Sequence, residues 1–304
     1  MHKHLTISPD VAEALAQNRP VVALESTIVT HGMPWPRNVE TARHVESDIR
    51  DAGAIPATIA ILDGKICVGL DDATLEVLGQ ATGVMKLSRA DLAFALAMKR
   101  TGSTTVAATM IAAHLAGIKV FATGGIGGVH RGAETTFDVS ADLDELAITP
   151  VAVVAAGAKA ILDVPKTLEY LETRGVPVVS YQTDNFPAFW SRSSGLPAPL
   201  RLDSASDIAN TFATRQELGL AGGMLIANPV PIEAEISAGD MAPMIDQALA
   251  EADKANIKAK DVTPFVLGRI FEISEGRSLE TNISLVRNNA RLAAEIAIAL
   301  ILNK

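Results

Sequence analysis

The stretch at residues 104–132, TTVAATMIAAHLAGIKVFATGGIGGVHRG, decides the fold. It predicts a helix from Thr104 to Ala116 and then a strand at Lys119–Ala122 that runs directly into glycines. Helices and apolar strands alternate in this way along most of the chain, which is typical of an α/β fold. The Asp63-Gly64 pair between two apolar runs predicts an antiparallel hairpin, so we expect a mixed central sheet.

The composition indicates a globular protein with an aliphatic core. Of the 304 residues, 48% are hydrophobic but only 4% are aromatic, as in α/β proteins built from small aliphatic side chains. Neither a repeat nor a low-complexity linker divides the chain, so we expect one domain over residues 1–304. The apolar segment at 292–302 is too short to cross a bilayer and carries Glu295, which predicts a buried C-terminal helix and no membrane partner.

Charge and cysteine content argue against several classes of protein. The net charge of −9 and the lack of a basic stripe argue against a nucleic-acid partner. A small anionic ligand stays compatible with a local basic pocket. The single cysteine, Cys67, excludes an intramolecular disulfide and any multi-cysteine metal site, and it fits a reducing compartment. We therefore expect a cytoplasmic protein.

The glycine run has two interpretations. Five glycines between Gly124 and Gly132 lead to His130 and Arg131. Such a cluster commonly forms a tight crossing after a strand and needs no ligand. Exposed amides beside an imidazole and a guanidinium also suit a phosphate or another anion, with the Thr123 hydroxyl as a further donor.

Glu25 is the one ionisable residue in the apolar run PVVALESTIV at 20–29. This run predicts a strand that is buried on both faces. The carboxyl could be solvated at the end of the strand, or burial could raise its pKa as a general acid requires.

Asp138, Ser140 and Asp142 stand at alternate positions. In an extended segment all three side chains would point to one side. The two acids could belong to a solvated turn, or they could hold a hard divalent cation such as Mg²⁺ or Mn²⁺, largely through water.

Lys159 stands alone in the apolar run VAVVAAGAKAILD at 151–163. Its amine could simply extend to solvent from the start of a helix. Attack on a carbonyl instead requires a neutral amine, and at an unperturbed pKa near 10.4 only about one in a few thousand is neutral at pH 7. Burial, a helix N-terminus or a neighbouring cation, with Lys86 or Arg131 as candidates, would depress that pKa.

Six blocks of the sequence are similar to one known family. They occur in the family's order and cover nearly the whole chain. The blocks are ALESTIVTHGMPWPRNVETA (23–42), FATGGIGGVHRGAETTFDVSADLDEL (121–146), AGAKAILDVPKTLEYLETRGVPV (156–178), IANPVP (226–231), TPFVLGRI (263–270) and SLETNISLVRNNARLAAEIA (278–297). The chain thus resembles the pseudouridine-5′-phosphate glycosidase family, also called indigoidine synthase A-like.

The resemblance implies a three-layer α/β/α fold with a central mixed β-sheet, a homotrimer, and one Mn²⁺ or another divalent cation per subunit. It implies reversible cleavage of pseudouridine 5′-phosphate to uracil and ribose 5-phosphate. Glu25 matches the family's proton donor, Lys159 its imine-forming nucleophile and Asp138 its metal ligand. The positions that match substrate-binding residues are Lys86, Thr105, Val106, Thr123, His130, Ser140, Ala141, Asp142 and Asn282.

A C–C glycosidic bond has no leaving-group oxygen to protonate, so hydrolysis by two carboxylates does not apply. The hypothesis from sequence is that Glu25 protonates the ring oxygen while Lys159 attacks C1′, and that uracil leaves from the opened sugar. Two rival hypotheses are another Schiff-base lyase or aldolase that acts on a pentose phosphate, and a non-catalytic protein that binds a phosphorylated ligand.

Overall fold

The computed structural model describes residues 2–257 and 262–303. Within them, eleven strands form one sheet. Residues 1, 258–261 and 304 belong to the expected domain but lie outside the described residues. The strands are β1 (Leu5–Ile7), β2 (Val21–Leu24), β3 (Ile55–Leu62), β4 (Lys65–Val68), β5 (Met85–Leu87), β6 (Gly102–Thr104), β7 (Val120–Ala122), β8 (Ala152–Ala155), β9 (Val178–Tyr181), β10 (Leu200–Leu202) and β11 (Met224–Ala227).

Twelve α-helices occur in the same residues, together with a π-helical turn at Ile28–Gly32 and a 3-10 turn at Ile232–Ala234. The helices are α1 (Pro9–Ala16), α2 (Arg37–Asp51), α3 (Asp72–Gln80), α4 (Arg89–Ala97), α5 (Val106–Ala116), α6 (Ala133–Thr136), α7 (Ala141–Ile148), α8 (Val164–Thr173), α9 (Ala205–Glu217), α10 (Ala238–Lys254), α11 (Val262–Ile273) and α12 (Arg277–Leu302).

The sheet is mixed, as the sequence predicts. Its order is β1-β4-β3-β2-β7-β8-β11-β9-β10, and β6 joins β5 to β3. Neighbouring strands are parallel except where β3 meets β4 and β6. The central strand β8 is fully buried, which is why its sequence is a continuous run of Ala and Val.

Helices cover both faces of the sheet, so the expected α/β/α class is confirmed. On one face α12 packs against α2 and α9; on the other, α5 packs against α4 and α7. The expected buried C-terminal helix is the end of α12, which lies across β2, β7 and β8. Among the described residues, no helix has the length and apolar character of a membrane span.

The hairpin turn between β3 and β4 follows the sequence prediction. Both of its residues have positive φ, 48° at Asp63 and 76° at Gly64. Two successive residues with positive φ define a type I′ turn, whose twist matches that of the flanking strands. The turn therefore sets the antiparallel register in which Leu62 lies opposite Lys65.

Two local expectations are wrong, and the strand β6, which begins at Gly102 and pairs with β3 and β5, is not found from the sequence. The apolar run at 20–29 forms a strand only as far as Leu24 and then enters the π-helical turn. The segment after Asp138 does not stay extended, because the Ser140 hydroxyl accepts a hydrogen bond from the amide of Asp142 and caps α7.

Asp48 fastens α2 to α12. Its carboxylate is nearly buried and accepts hydrogen bonds from the guanidinium groups of Arg287, at 2.6 and 3.1 Å, and of Arg291, at 2.7 and 3.1 Å. Burial opposes ionisation of Asp48, but the hydrogen bonds and charges of the two arginines outweigh it and hold its pKa below the usual value. The pair of arginines thus fixes the helix that covers the centre of the sheet.

We expect Asp48→Ala to lower the free energy of unfolding by about 2 kcal/mol, because two partly exposed arginines lose their buried partner. The loss should be complete above about pH 4 and should shrink as the pH falls through the depressed pKa of folded Asp48. Urea unfolding at several pH values measures it. Glu13→Ala, which removes an exposed pair with Arg19, is the control; an equal loss in both variants would contradict this role.

Candidate active site

The parallel strands bring the predicted residues to one edge of the sheet. Glu25 directly follows β2, Thr123 directly follows β7, and Lys159 lies four residues after the end of β8. Because β2, β7 and β8 are adjacent and parallel, their carboxyl ends meet at the same edge. This edge is where ligands bind in α/β sheets.

A cavity of about 410 Å³ lies at this edge. Its volume is in the range of small-molecule binding sites. All but one of the twelve site residues predicted from sequence line it; the exception is Thr123. The lining residues from the prediction are Glu25, Lys86, Thr105, Val106, His130, Asp138, Ser140, Ala141, Asp142, Lys159 and Asn282.

The Glu25 carboxyl is held between two hydroxyl groups. Thr27 donates a hydrogen bond to one carboxyl oxygen and Thr123, which is buried behind the cavity wall, donates to the other. Burial raises the pKa of Glu25, and Asp142 adds to this, while the charges of Lys159 and Lys86 and the Thr123 hydrogen bond oppose it. The structure thus favours a general acid over a solvated carboxylate at this strand end.

Lys159 lies in a loop rather than at the start of a helix, since α8 begins only at Val164. Its backbone amide donates to the carbonyl of Ile126, at 3.1 Å, which ties it to the glycine loop. Within residues 2–257 and 262–303, no hydrogen bond or ion pair holds its ammonium group. The side chain lines the cavity and interacts electrostatically with Glu25.

The glycine loop packs closely against its neighbours. A Cβ at Gly127 would lie 2.2 Å from the hydroxyl of Ser140, and one at Gly125 would lie 2.7 Å from the ring of Phe189. The amides of Ile126, Gly127, Val129 and His130 already donate to protein acceptors. The tight crossing therefore accounts for most of the glycines, while Gly124, Gly125 and Gly127 still face the cavity.

Arg131 does not take part in the cavity wall. Its guanidinium group binds Asp246 on the surface, at 2.9 Å. The expected basic group of the glycine loop is thus His130 alone, and burial lowers the pKa of this imidazole, with Lys159 and Lys86 adding to the effect and Asp138 opposing it.

Asp142 has a different environment from Asp138. Its buried carboxylate accepts hydrogen bonds from the amide of Ala107 in the first turn of α5, at 2.9 Å, and from that of Gly127, at 2.8 Å. Asp138 is partly exposed and lies 3.9 Å from the imidazole of His130. Asp142 thus joins α5 to the glycine loop, and Asp138 is the acid whose carboxylate oxygens could bind a cation.

The donor set near Asp138 is small. No group of three or more His, Cys, Asp or Glu side chains suited to a metal occurs in the described part of the chain. A single carboxylate still fits Mg²⁺ or Mn²⁺, which keep several water ligands and bind substrate oxygens.

Several cavity residues are not found by sequence reasoning. His31 belongs to the π-helical turn, a kind of helix that is frequent at functional sites, and burial and the Lys86 charge lower its pKa. Phe189 packs edge-on against Trp190, with 4.9 Å between the ring centroids, so that the irregular loop that carries both rings forms a packed wall. The HGMPWP motif is the sequence signal for His31, whereas the positive φ of Phe189, 59°, is visible only in the structure.

The geometry is that of an α/β enzyme in which a carboxyl group of raised pKa faces a lysine across a small cavity. Residues 10–299 match the model of the family described as indigoidine synthase A-like protein. The chain belongs to this family, and it is an enzyme.

Curated relatives are similar over nearly their whole length. The pseudouridine-5′-phosphate glycosidase of Paracoccus denitrificans (strain Pd 1222) is 64% identical over 298 residues, 97% of this chain and 98% of the relative. The enzyme of the same name from Jannaschia sp. (strain CCS1) is 65% identical over 296 residues, with the same coverage.

Two solved structures share the fold. The prealnumycin C-glycosynthase AlnA, in complex with ribulose 5-phosphate, has a TM-score of 0.92 and 39% identity and covers 100% of this chain and 99% of its own. An indigoidine synthase A-like protein from Thermotoga maritima MSB8 has a TM-score of 0.90 and 33% identity, with 99% and 98% covered.

We expect Glu25→Gln to make the protein more stable than wild type at pH 8. Because burial raises the pKa of folded Glu25, its favourable contribution is present below the unfolded pKa and is lost as the pH rises through the folded value, whereas glutamine does not titrate. Thermal unfolding from pH 4 to pH 8 measures the difference, which should grow with pH.

Glu46→Gln is the matched control, because it removes a carboxylate that binds Arg50 and Thr58 and should lose stability at pH 8. A Glu25→Gln protein that is less stable than wild type at pH 8 would contradict a desolvated carboxyl.

Proposed function

We propose that the protein is a pseudouridine-5′-phosphate glycosidase that cleaves the C–C glycosidic bond reversibly through an imine of Lys159 with ring-opened ribose. The observation that carries the proposal is the placement of a carboxyl of raised pKa and a lysine without a bound partner in one cavity. The relatives that are more than 60% identical over almost the whole chain carry the same name, which supports the substrate.

In the first step the Lys159 amine attacks C1′ and a C–N bond forms. The C1′–O4′ bond breaks, and the ring oxygen takes the proton of Glu25. The Glu25 carboxylate then removes a proton from the new ammonium group. A carboxyl with a raised pKa suits both transfers, since its protonated form persists closer to neutral pH.

In the second step Glu25 gives this proton to C5 of uracil. The C1′–C5 bond breaks, its electron pair stays in the uracil ring, and the nitrogen lone pair forms the protonated imine. Water adds to the imine carbon and the amine departs, so that ribose 5-phosphate is released and Lys159 and Glu25 return to their starting states. The reverse sequence joins uracil to ribose 5-phosphate.

The phosphate end of the cavity is assigned to Lys86 and the neighbouring backbone. Lys86 lies in β5, directly before the N-terminus of α4, and Thr105 and Val106 begin α5 at the same wall. The Ala107 amide of α5 is already bound to Asp142, so the charge of Lys86 is the main support for an anion here.

The base end is assigned to Asn282. The side-chain oxygen of Asn282 is buried and has no protein partner among the described residues. A buried amide oxygen without a partner is costly, and an N–H group of uracil would satisfy it.

A divalent cation, Mn²⁺ by resemblance, fits beside Asp138. Asp138 would hold it with water, while Asp142 is already bound to two backbone amides. The bound cation would supply positive charge that orders water and substrate oxygens. The family resemblance also makes a homotrimer part of the proposal.

The AlnA complex supports open-chain chemistry. Ribulose 5-phosphate carries its phosphate on the oxygen that would close a five-membered ring, so it is an open-chain sugar. A protein of the same fold, 39% identical, thus holds an open-chain pentose phosphate.

Borohydride reduction in the presence of ribose 5-phosphate should attach the sugar covalently to Lys159. Peptide mass mapping locates the adduct. Lys166→Arg, which changes a surface lysine paired with Glu134 and Asp163, should not alter the yield. Active enzyme that yields no adduct, or yields one at another lysine, would overturn the imine.

Uracil and ribose 5-phosphate should be joined by the protein, with loss of free uracil as the readout. Removal of divalent cations should lower the rate, and Mn²⁺ should restore it in wild type but not in Asp138→Asn, which we expect to be at least about 10-fold slower. Condensation that does not depend on added metal would refute the cation site.

The same assay separates the rival function. An aldolase would turn over a pentose phosphate and leave uracil unchanged.

A further inference from the structure

Two buried asparagines lie behind the cavity and bind the turn that follows β7. The side-chain amide of Asn289, on α12, donates to the carbonyl of Thr123, at 2.8 Å, and to that of Gly124, at 3.4 Å. Its oxygen accepts a hydrogen bond from the amide of Asn228, at 3.1 Å. Asn289 is fully buried, Asn228 is nearly so, and neither lines the cavity.

This turn is directly connected to the acid. Thr123, whose carbonyl Asn289 binds, donates its hydroxyl to the Glu25 carboxyl. The turn also leads to the lysine, because the carbonyl of Gly124 accepts from the amide of Ala156, at 2.9 Å, three residues before Lys159.

The partner asparagine fastens a third strand end. Asn228 directly follows β11, and its backbone amide donates to the carbonyl of Ala155, at 2.8 Å. The two side chains therefore connect the carboxyl ends of β7 and β11 through α12, and the backbone of Asn228 connects β11 to β8.

We propose that Asn289 and Asn228 are positioning residues that set the placement of the Glu25 carboxyl relative to the Lys159 amine. They act through the Thr123–Gly124 turn and not by contact with the substrate. This inference rests on the proposed function of Glu25 and Lys159. It also gives a role to the IANPVP and RNNAR motifs, which the reaction itself does not use.

The cost of burial favours this role. An amide buried in a helix–sheet contact is unfavourable unless its hydrogen bonds are made, and the buried residues of α12 that flank Asn289, such as Leu285 and Ala293, are apolar. The charged groups that face Glu25 come from other elements, namely Lys159, Lys86 and Asp142. Replacement of Asn289 leaves these groups in place.

A double-mutant cycle tests the coupling in the full-length protein. Asn289→Ala should lower kcat for uracil condensation by about 10- to 100-fold, as expected for a displacement of reacting groups by about 1 Å, with KM for ribose 5-phosphate nearly unchanged. In a Thr123→Val background the same replacement should cost several-fold less than in wild type, because the path to Glu25 is already broken and only the path through Gly124 remains.

Asn288→Ala is the matched control. Asn288 is adjacent on α12 and binds the carbonyl of Pro229, at 3.2 Å, but not the turn after β7. It should keep kcat within about 2-fold of wild type, since this side chain makes no hydrogen bond to the Thr123–Gly124 turn. Asn228→Ala leaves Asn289 in place and should lower kcat in the same way but by a smaller factor. This variant replaces Asn289→Ala in the test if Asn289→Ala does not fold.

Equal losses in the wild-type and Thr123→Val backgrounds would overturn the inference, as would a loss in Asn288→Ala as large as in Asn289→Ala. If wild type does not condense uracil, the proposed function fails. The positioning role is then tested by carboxyl ¹³C NMR, which measures the titration of Glu25 in each ligand-free variant of the cycle. Asn289→Ala must shift that titration and Asn288→Ala must not.

Discussion

The structure depends on keeping a carboxyl group and an amine close together at the carboxyl edge of a parallel sheet, where burial makes the charged form of the acid unfavourable. Glu25 is held on both oxygens by threonine hydroxyls, and its pKa is raised by burial in spite of the nearby lysines. The Lys159 amine has no ion-pair partner in the described residues. Burial of the Glu25 carboxylate opposes folding at neutral pH, and the amine makes no bond within the described part of the chain that would stabilise the fold, so both indicate a site built for chemistry.

The surrounding fold provides the rigidity that this arrangement needs. The central strands are fully buried, and α12 lies across them, fastened to α2 through Asp48. On the opposite face Glu145, also fully buried, binds Arg89 through two hydrogen bonds of 2.6 and 2.8 Å and so joins α7 to α4. Helices that begin at the cavity are thus fixed in direction, and with them the backbone that faces a substrate.

Much of this could be predicted from the sequence, and the reason differs between features. The hairpin at Asp63-Gly64 and the buried strand β7 follow from local chemistry, namely turn residues that adopt positive φ and a continuous apolar run. The different roles of Asp142, which binds backbone amides, and Asp138, which could bind a cation, could not be predicted. They depend on the amide of Ala107, which is 35 residues away from Asp142. The same is true of Arg131, whose neighbour Asp246 is 115 residues away and draws it out of the cavity.

The imine of Lys159 is the central claim, and exchange of the carbonyl oxygen tests it most directly. Ribose 5-phosphate labelled with ¹⁸O at C1 should lose its label to water when incubated with the protein, because each cycle of imine formation and hydrolysis replaces that oxygen. Loss of label in wild type and retention in Lys159→Met is the expected result. If an enzyme that condenses uracil causes no faster loss of label than occurs without protein, the imine is contradicted.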